Sequence, residues 1–508
     1  MARRAAVRAL AAAKSNNRSK HVFPPSGKAL VARMNECMKQ RSLACALEVY
    51  EEANSAVSEP LESLPAQAFH VLLQLSAGMD SSGVVDRSTL EAIRNDMKCA
   101  GLYPDEPSVT AVARARARCE GGDAALHACV VDKPENQRLK LRTYSPAVTA
   151  FCEERKPLRA LQAETYARAD GVRLSDFEYA ALLRALAEGC YIDEGFALLE
   201  RLSGDLRLVD SDVLHEPLER FFNACGPRWH VALTHVHEDG VCDANPEIAA
   251  QPFDVSNEQA EDMLEALRQF AYSRSCKLEH FDRYTGYVRA AQPQVMVDGS
   301  NIGLFNQNFV EGGFSFAQIA RVVAELEREV GHRTQPVVCL HSSRLRSDEA
   351  QDDDSKHIIE CLEKKSALCV APKGANDDWY WLYAAIAAGS QGIAVTNDEL
   401  RDHIAHMMPD PNAFLRWQEL HQAHFSMSSN EMRIVWPEPF TTTVQHRIAD
   451  NDCNSHSWWL FPLAEHGKRS MEPQQGSARG TQRWWIAAWQ SPQPGTSSSC
   501  GSGRRRRR

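Results

Sequence analysis

Three groups of acidic residues stand at the ends of short apolar runs, and they are the part of the chain best suited to chemistry. Asp298 and Asp398 each follow an apolar run typical of a β-strand by one or two residues, while Asp377 and Asp378 open a predicted helix. Residues that follow parallel strands meet in one crevice at the carboxyl ends of those strands. Four carboxylates there repel each other unless cations intervene, and all-oxygen ligand sets favour Mg²⁺ or Mn²⁺. Two such ions can hold the attacking water and the leaving oxygen of a phosphodiester, so the pattern predicts metal-dependent hydrolysis.

Taken singly, each group has an ordinary structural explanation. An Asp-Gly pair after a strand is typical of a turn, and Asn-Asp-Asp before a helix is typical of an N-cap. The sequence Thr-Asn-Asp-Glu is likewise a capping sequence. Three such groups at strand ends of one sheet are much harder to obtain by accident, so the joint pattern favours the metal site.

The elements that position these residues alternate between strand-like and helical runs through residues 293–435. This alternation predicts a doubly wound parallel α/β domain. The predicted strands are 294–297, 335–340, 367–370 and 392–396, and the predicted helices are 315–330, 356–364, 377–388 and 399–407.

Residues 30–211 read instead as successive helices with a repeat. Helices begin at related positions near Thr110, Tyr144 and Tyr179, at spacings of 34 and 35 residues. A helix pair of this length cannot bury its apolar face alone, so such units stack into a solenoid. The period leaves two interpretations open, an RNA-binding array and a helical scaffold for protein partners.

The segments 212–292 and 436–465 show no regular pattern apart from one helix near 257–273, and we expect them to form an irregular central module. Residues 466–508 are biased towards Ser, Gly, Gln and Arg and are predicted to be a disordered basic tail, apart from an apolar patch at 484–486. Residues 1–29 are rich in Ala, Arg and Ser and lack acids. They are either a transit peptide or a flexible basic tail.

The charge distribution limits the classes of function. Each end, 1–35 and 466–508, carries a net charge of +8, and the whole chain carries −10, so the middle carries −26. This distribution excludes a uniformly basic nucleic-acid-binding protein. If the acidic middle of the chain binds a polyanion, it needs local basic patches or metal ions. No apolar run approaches the roughly 20 residues of a membrane span. Fifteen cysteines without framework spacing indicate reduced thiols.

Three motifs carry a resemblance to a known family. Residues 297–303 read Val-Asp-Gly-Ser-Asn-Ile-Gly, and the segments 376–385 and 395–403 hold the other acidic groups with their flanking residues. The chain resembles the proteinaceous RNases P, protein-only enzymes that remove 5′ leaders from precursor tRNAs. The resemblance covers about residues 30–465 and implies pentatricopeptide-like repeats, a central module and an NYN-type, PIN-like metallonuclease domain, in that order. Ser300 stands where this family usually has Ala.

The resemblance also implies residue roles and partners. Asp298, Asp377, Asp378 and Asp398 would be the catalytic residues that hold Mg²⁺, or Mn²⁺ in its place. Asp402, Asn301 and His403 would be accessory residues. The repeats would bind the elbow of precursor tRNA, and cleavage would leave a 5′-phosphate on the mature tRNA. The enzyme would act as a monomer, without an RNA subunit and without association with a membrane.

The chain departs from the family pattern at the residues that bind zinc, the ion that stabilises the central module in this family. Cys242 matches the first expected ligand, but Asn245 stands in place of the second, Trp459 in place of the histidine and Ala487 in place of the last cysteine. We therefore expect structural Zn²⁺ to be absent or its site rebuilt, with Cys242 and His456 as remnant ligands.

The sequence leaves two other functions open. One is a PIN-like endoribonuclease that acts on another structured RNA, and the other is a non-catalytic repeat protein that binds RNA. The N-terminal segment suits a mitochondrial or plastid address, whereas the run 504–508 suits nuclear import, so the sequence leaves the compartment undecided.

Overall fold

The computed structural model describes most of the chain in two compact units. The described residues are 27–55, 64–102, 104–133, 137–273, 278–307, 313–331, 334–401, 408–428, 431–448, 457–464 and 483–489. One unit comprises residues 1–206 and 210–229, and the other comprises 207–209 and 230–508. Within the described ranges, no helix is both long and apolar enough to cross a bilayer.

The first unit is built from helices joined by short turns. They are α1 (Gly27–Lys39), α2 (Leu43–Ser55), α3 (Ala66–Ser76), α4 (Arg87–Cys99), α5 (Glu106–Glu120), α6 (Gly122–Val131), α7 (Leu141–Glu153), α8 (Pro157–Ala169), α9 (Asp176–Glu188), α10 (Ile192–Asp205) and α11 (Ser211–Ala224). The predicted helical-repeat region is confirmed.

The repeat period is visible in polar contacts as well as in helix lengths. In the pair α7–α8, the hydroxyl of Tyr144 donates to Asp170 at 2.6 Å, and in α9–α10 the hydroxyl of Tyr179 donates to Asp205 at 2.6 Å. Each tyrosine opens a repeat and each aspartate closes it, 26 residues later. Arg168 of α8 also pairs with Asp205 at 2.6 Å, so the same carboxylate joins successive repeats. Buried tyrosines need such acceptors, because an unpaired hydroxyl in a core is costly.

The second unit contains a six-stranded sheet in the order β6-β5-β4-β7-β8-β9. Its strands are β4 (Val295–Asp298), β5 (Pro336–His341), β6 (Leu368–Ala371), β7 (Ile393–Val395), β8 (Gln422–Met427) and β9 (Met432–Val435). Strands β4 to β8 pair in parallel, which confirms the predicted doubly wound domain. Strand β9 pairs antiparallel with β8, because a connection of only four residues can return the chain but cannot cross the sheet.

Helices cover both faces of this sheet. They are α12 (Asn257–Ser273), α13 (Leu278–Ala291), α14 (Gly299–Leu304), α15 (Phe316–Val330), α16 (Asp353–Lys364), α17 (Asp377–Ala387) and α18 (Pro411–His421). Met296 packs with α12, α13, α17 and α18 on one face, whereas Val295 and Val297 pack with α15 and α16 on the other. Because successive side chains of β4 point to opposite faces of the sheet, they contribute to two apolar cores, one on each side of a buried sheet.

Two segments that we expected to be irregular contain regular structure. Strands β10 (Gln445–Arg447), β11 (Trp458–Pro462) and β12 (Arg483–Trp489) pair antiparallel, and β1 (Trp229–His235) lies beside β12. Strands β2 (Val241–Cys242) and β3 (Asn245–Ala249) form a hairpin. The tail predicted to be disordered thus supplies β12 of a buried sheet. Local patterns did not reveal it, because each strand is short and finds its partner far along the chain.

Two further predictions about helices were wrong. Helix α13 was not predicted. Together with α12 it packs on α17, and the hydroxyl of Tyr284 in α13 donates to the carbonyl of Tyr380 in α17 at 2.7 Å. The predicted helix 399–407 does not begin at Glu399, since Leu400 has a left-handed φ of 53°. Residues 402–407 lie outside the described residues, and so do 1–26, 56–63 and most of 466–508. Our domain boundaries stay predictions.

Candidate active site

The acidic groups lie at the point where the sheet reverses its strand order. Strand β4 pairs with β5 on one side and with β7 on the other, so the connections that leave β4 and β7 run in opposite directions. This divergence opens a crevice at the carboxyl ends of the strands. Asp298 is the last residue of β4, and Thr396 directly follows β7. The two strand ends predicted to carry the site are therefore neighbours.

Asp298 is buried and held by two donors. Its side chain is only 3% exposed and accepts from the backbone N–H of Asn301 at 3.0 Å and from the hydroxyl of Thr396 at 2.8 Å. Gly299 follows it because a Cβ there would lie 2.8 Å from the carbonyl oxygen of Cys339 in β5. The Asp-Gly pair thus reflects close packing of α14 on the sheet and not a turn alone.

The pKa of Asp298 is raised to about 8, mainly by burial and then by the nearby carboxylates of Asp378 and Asp377, while the two hydrogen bonds act in the opposite direction. The carboxylates of Asp377 and Asp378 therefore act on a carboxyl group that is already desolvated. A divalent ion bound there would offset the repulsion among the three carboxylates.

Asp377 and Asp378 form the first turn of α17, and neighbouring polar residues orient both. Asn376 caps the helix by accepting from the backbone N–H of Asp378 at 3.2 Å, and its own amide donates to the Asp378 carboxylate at 2.9 Å. The hydroxyl of Ser300 donates to Asp377. The residue that departs from the family pattern therefore helps to position a candidate ligand.

Asp398 lies in the loop after β7 and is linked to Asp298 through one side chain. The hydroxyl of Thr396 donates to Asp298 and accepts from the backbone N–H of Asp398 at 3.1 Å. The Asp398 carboxylate accepts from the backbone of Leu400 at 2.9 Å. Buried Gln422 donates to the carbonyls of Thr396 and Asp398, both at 2.9 Å, so β8 supports this loop from below.

Asn301 has a bridging role in the described structure. Its side-chain oxygen accepts from the backbone N–H of Asn397 at 3.0 Å. The amide of Asn397 pairs in turn with the backbone of Phe425, donating at 2.8 Å and accepting at 3.0 Å. Sequence reasoning did not assign positioning roles to Thr396, Asn397 or Gln422, although the first two lie inside a motif that it singled out.

Not every predicted site residue can be placed. Asp402, His403 and His456 lie outside the described residues. Within the described ranges, no group of three or more His, Cys, Asp or Glu side chains is arranged so that it could hold a metal ion without rearrangement. The carboxylate set around Asp298 nevertheless fits a hard divalent cation, because its ligands are oxygens and because Asp377 and Asp378 both raise the pKa of the buried Asp298 carboxyl.

Cys242 differs from the carboxylates in its surroundings. It is fully buried in an apolar cluster with Val236, Phe440 and Trp484. Burial, with Asp243 as a second cause, raises the pKa of its thiol to about 11, which opposes the thiolate that zinc requires. Whether structural zinc is bound stays a prediction.

Replacing Thr396 by Val should test the link between the two strand ends. Valine keeps the volume but removes the hydroxyl that donates to Asp298 and accepts from Asp398. If these carboxylates act together, we expect the single-turnover rate of RNA cleavage to fall by about 10–100-fold, because misplaced ligands lose transition-state contacts.

The control for that variant is Thr285→Val. Thr285 is also buried, and its hydroxyl donates to the carbonyl of Asp282 at 2.9 Å, away from the carboxylates. It should lose a comparable amount of stability and keep its cleavage rate. Equal rates for the two variants would show that Thr396 has no special role.

Comparisons with known proteins match both the repeat region and the part of the chain that contains the α/β domain. Residues 236–484 match the family model described as protein-only RNase P, and residues 16–225 match the model of the pentacotripeptide-repeat region of the same enzymes. The chain belongs to the protein-only RNase P family. It is therefore an endoribonuclease of the ribonuclease P type, and the family implies a metal-dependent nuclease.

Two plant relatives match along most of their length. Proteinaceous RNase P 2 of Arabidopsis thaliana is 28% identical over 499 residues, covering 88% of this chain and 91% of the relative. Proteinaceous RNase P 1 of the same plant, described as chloroplastic/mitochondrial, is 25% identical over 534 residues, covering 96% and 88%. The crystal structure of nuclear proteinaceous RNase P 2 from A. thaliana matches with a TM-score of 0.71 and 26% identity, covering 92% of this chain and all of that one. The family thus includes organellar and nuclear forms.

Proposed function

We propose that this protein removes the 5′ leader of precursor tRNA by Mg²⁺-dependent endonucleolytic hydrolysis, leaving a 5′-phosphate on the tRNA. The observation that carries the proposal is the burial of Asp298 beside Asp377 and Asp378 at the strand-order reversal of the sheet. We further propose that the enzyme acts as a monomer without an RNA subunit and that its repeats bind the folded elbow of the tRNA.

The proposed roles of the carboxylates follow from how they are held. Asp298, Asp377, Asp378 and Asp398 would hold the ions, which when bound supply charge neutralisation and a water of lowered pKa beside the scissile phosphate. Asn301 and Thr396 fix Asp298, Ser300 fixes Asp377, and Asn376 fixes Asp378. These donors lock the carboxylates before substrate arrives, so little reorganisation is left for the chemical step.

The proposal requires a divalent ion for cleavage at one defined bond. We expect a 5′-extended tRNA to be cut once in Mg²⁺, at the junction of leader and mature 5′ end, and to remain intact in EDTA. Mapping both product ends by primer extension and 5′-phosphate-dependent digestion checks the position and the end chemistry. Cleavage that persists in EDTA, or that falls at scattered positions, contradicts the proposal.

A second substrate separates this function from cleavage of other structured RNA. A 5′-extended acceptor stem that lacks the elbow should be cut at a much lower kcat/KM than the full precursor, since it offers the repeats no folded partner. If the two are cut equally well, the repeats do not bind the elbow, and the general endoribonuclease becomes the better description.

A further inference from the structure

The last residue of β5 is a histidine at the same edge and face of the sheet as the acidic site. In register, Asp298 pairs with Cys339 and His341 pairs with Ala371. Cys339 and Ala371 both pack in the core beneath α17, and the thiol of Cys339 lies 3.6 Å from the carbonyl oxygen of Asp377. Because side chains alternate along a strand, His341 faces the side of the sheet on which α17 begins.

The proton position on His341 follows from its neighbour. The backbone N–H of Ser343 can only donate, and it points at Nδ1 of His341 at 3.2 Å. The hydroxyl of Ser343 lies 2.6 Å from the same nitrogen. Nδ1 is therefore an acceptor, and in the neutral ring Nε2 carries the proton. Within the described ranges no residue accepts from Nε2, which leaves an oriented N–H donor at a half-exposed position.

Three cationic residues follow His341 or its register partner Ala371 in the chain. The guanidinium of Arg344 lies 4.9 Å from the ring centre of Phe314, and Arg346 donates to the hydroxyl of Ser342 at 3.0 Å. Lys373 is exposed and follows Ala371, the register partner of His341, by two residues. In the described part of the chain none of the three cations forms an ion pair, although Arg344 acts electrostatically on Glu349. These cations thus follow the carboxyl ends of β5 and β6, with the acids Asp348 and Glu349 close behind Arg346, in a chain whose middle is strongly acidic.

We propose that His341, Arg344, Arg346 and Lys373 bind backbone phosphates of the RNA strand next to the scissile bond. This inference rests on the proposed function, because it places the strand at the crevice that holds Asp298. Carboxylates alone would repel a polyanion, so neighbouring cations offset that repulsion where the backbone must approach. The arginines and the lysine contribute charge, and the Nε2–H of His341 contributes a directed hydrogen bond.

The test of the charges is the salt dependence of RNA binding in EDTA, where no cleavage is needed. In the variant Arg344→Ala/Arg346→Ala/Lys373→Ala, we expect the slope of log K against log salt concentration for a 5′-extended tRNA to become shallower by about 2, at roughly 0.7 per lost contact to single-stranded RNA. The matched control is Arg328→Ala/Lys364→Ala/Lys365→Ala. Arg328 and Lys364 lie in the last turns of α15 and α16, and Lys365 directly follows α16, at the opposite edge of the sheet, so the slope should stay unchanged.

Two RNAs locate the phosphates, and one variant tests the histidine. A shallower slope with the precursor but not with mature tRNA assigns the contacts to the leader, and a change with both assigns them to the acceptor side. His341→Ala should lower the single-turnover cleavage rate by about 10-fold, and His341→Gln should recover part of it by restoring an N–H donor. His357→Ala, an exposed histidine on α16, is the control.

The result that overturns this inference is a triple variant with an unchanged salt slope for both RNAs while its melting temperature matches the wild type. Because the binding assay does not depend on cleavage, that failure differs from failure of the proposed function, which would appear as wild-type protein that binds RNA but does not cut it.

Discussion

Replacing Asp377 and Asp378 together by Ala is expected to lower the single-turnover cleavage rate of a 5′-extended tRNA by at least about 1,000-fold. A loss of this size corresponds to about 4 kcal/mol of transition-state stabilisation, which is in the range of one lost charge-stabilising group in an active site. Both carboxylates act on Asp298 electrostatically, so their removal takes away most of the negative charge that would attract a divalent ion. Binding of the precursor should change by no more than about threefold, since ground-state contacts to RNA remain.

The chain offers a closely matched control for this variant. Helix α16 also opens with two aspartates, Asp353 and Asp354, behind a capping Asp352, and both are exposed. Alanine at both positions removes the same two charges from the same helical positions, with the same loss of favourable interaction with the helix dipole. We expect full cleavage activity from this control. A double variant at 377 and 378 that still cuts the precursor at the wild-type rate would refute the assignment of the active site.

Replacing Asp298 by Asn is expected to abolish cleavage and at the same time to stabilise the metal-free protein at alkaline pH. The pKa of Asp298 is raised to about 8 in the folded protein, against about 4 when unfolded. Between these values the folded state holds a proton that the unfolded state has released, so stability falls as pH rises through this window, by up to about 1.4 kcal/mol per pH unit. Above pH 8 the wild type bears the full cost of an ionised, buried carboxylate, whereas asparagine has no proton to lose.

The measurement is urea unfolding in EDTA at pH 5, 7 and 9, followed by tryptophan fluorescence. Nine of the ten tryptophans lie in residues 230–508, so the signal reports the unit that contains Asp298. We expect Asp298→Asn to gain about 2–4 kcal/mol over the wild type at pH 9 and little at pH 5. Asp262→Asn, an exposed aspartate on α12, should show the wild-type pH dependence. A wild-type pH dependence in Asp298→Asn would contradict the raised pKa.

Magnesium provides a readout that does not depend on cleavage. Addition of Mg²⁺ at pH 7 should raise the stability of the wild type, because an ion that binds only the folded state shifts the unfolding equilibrium. The same addition should leave Asp298→Asn nearly unchanged. Together these results would show that the active-site carboxylates destabilise the metal-free protein and that a bound ion removes this destabilisation. Active sites commonly lower the stability of a protein in this way.

Much of the site follows from local sequence, as particular residues show. Asp377 and Asp378 after Asn376 predict a helix start, because a cap and acids in the first turn are favourable within four residues of one another. The spacing from Tyr144 to Tyr179 predicts stacked helix pairs for a similar reason, since each unit repeats one local pattern. The apolar runs before Asp298 and Asp398 predict buried parallel strands that end where the acids stand. In each case the information lies within one helix or one strand.

Other features depend on residues that are far apart in the chain. Nothing near Asp298 indicates that Thr396 will hold it, that Gln422 will support the loop of Asp398, or that His341 will pair with Ala371. The strand order of the sheet decides these neighbours. Strands β11 and β12 were missed for the same reason, since their tryptophans become a core only when the two are paired.

The sequence by itself therefore determined which residues could do chemistry, which elements carry them and the order of those elements. Only the tertiary structure decided which side chains meet, how deeply Asp298 is buried and which carboxylates act on it. The physical reason is that capping, helical period and strand alternation are short-range interactions, whereas desolvation and strand pairing depend on how the whole domain packs.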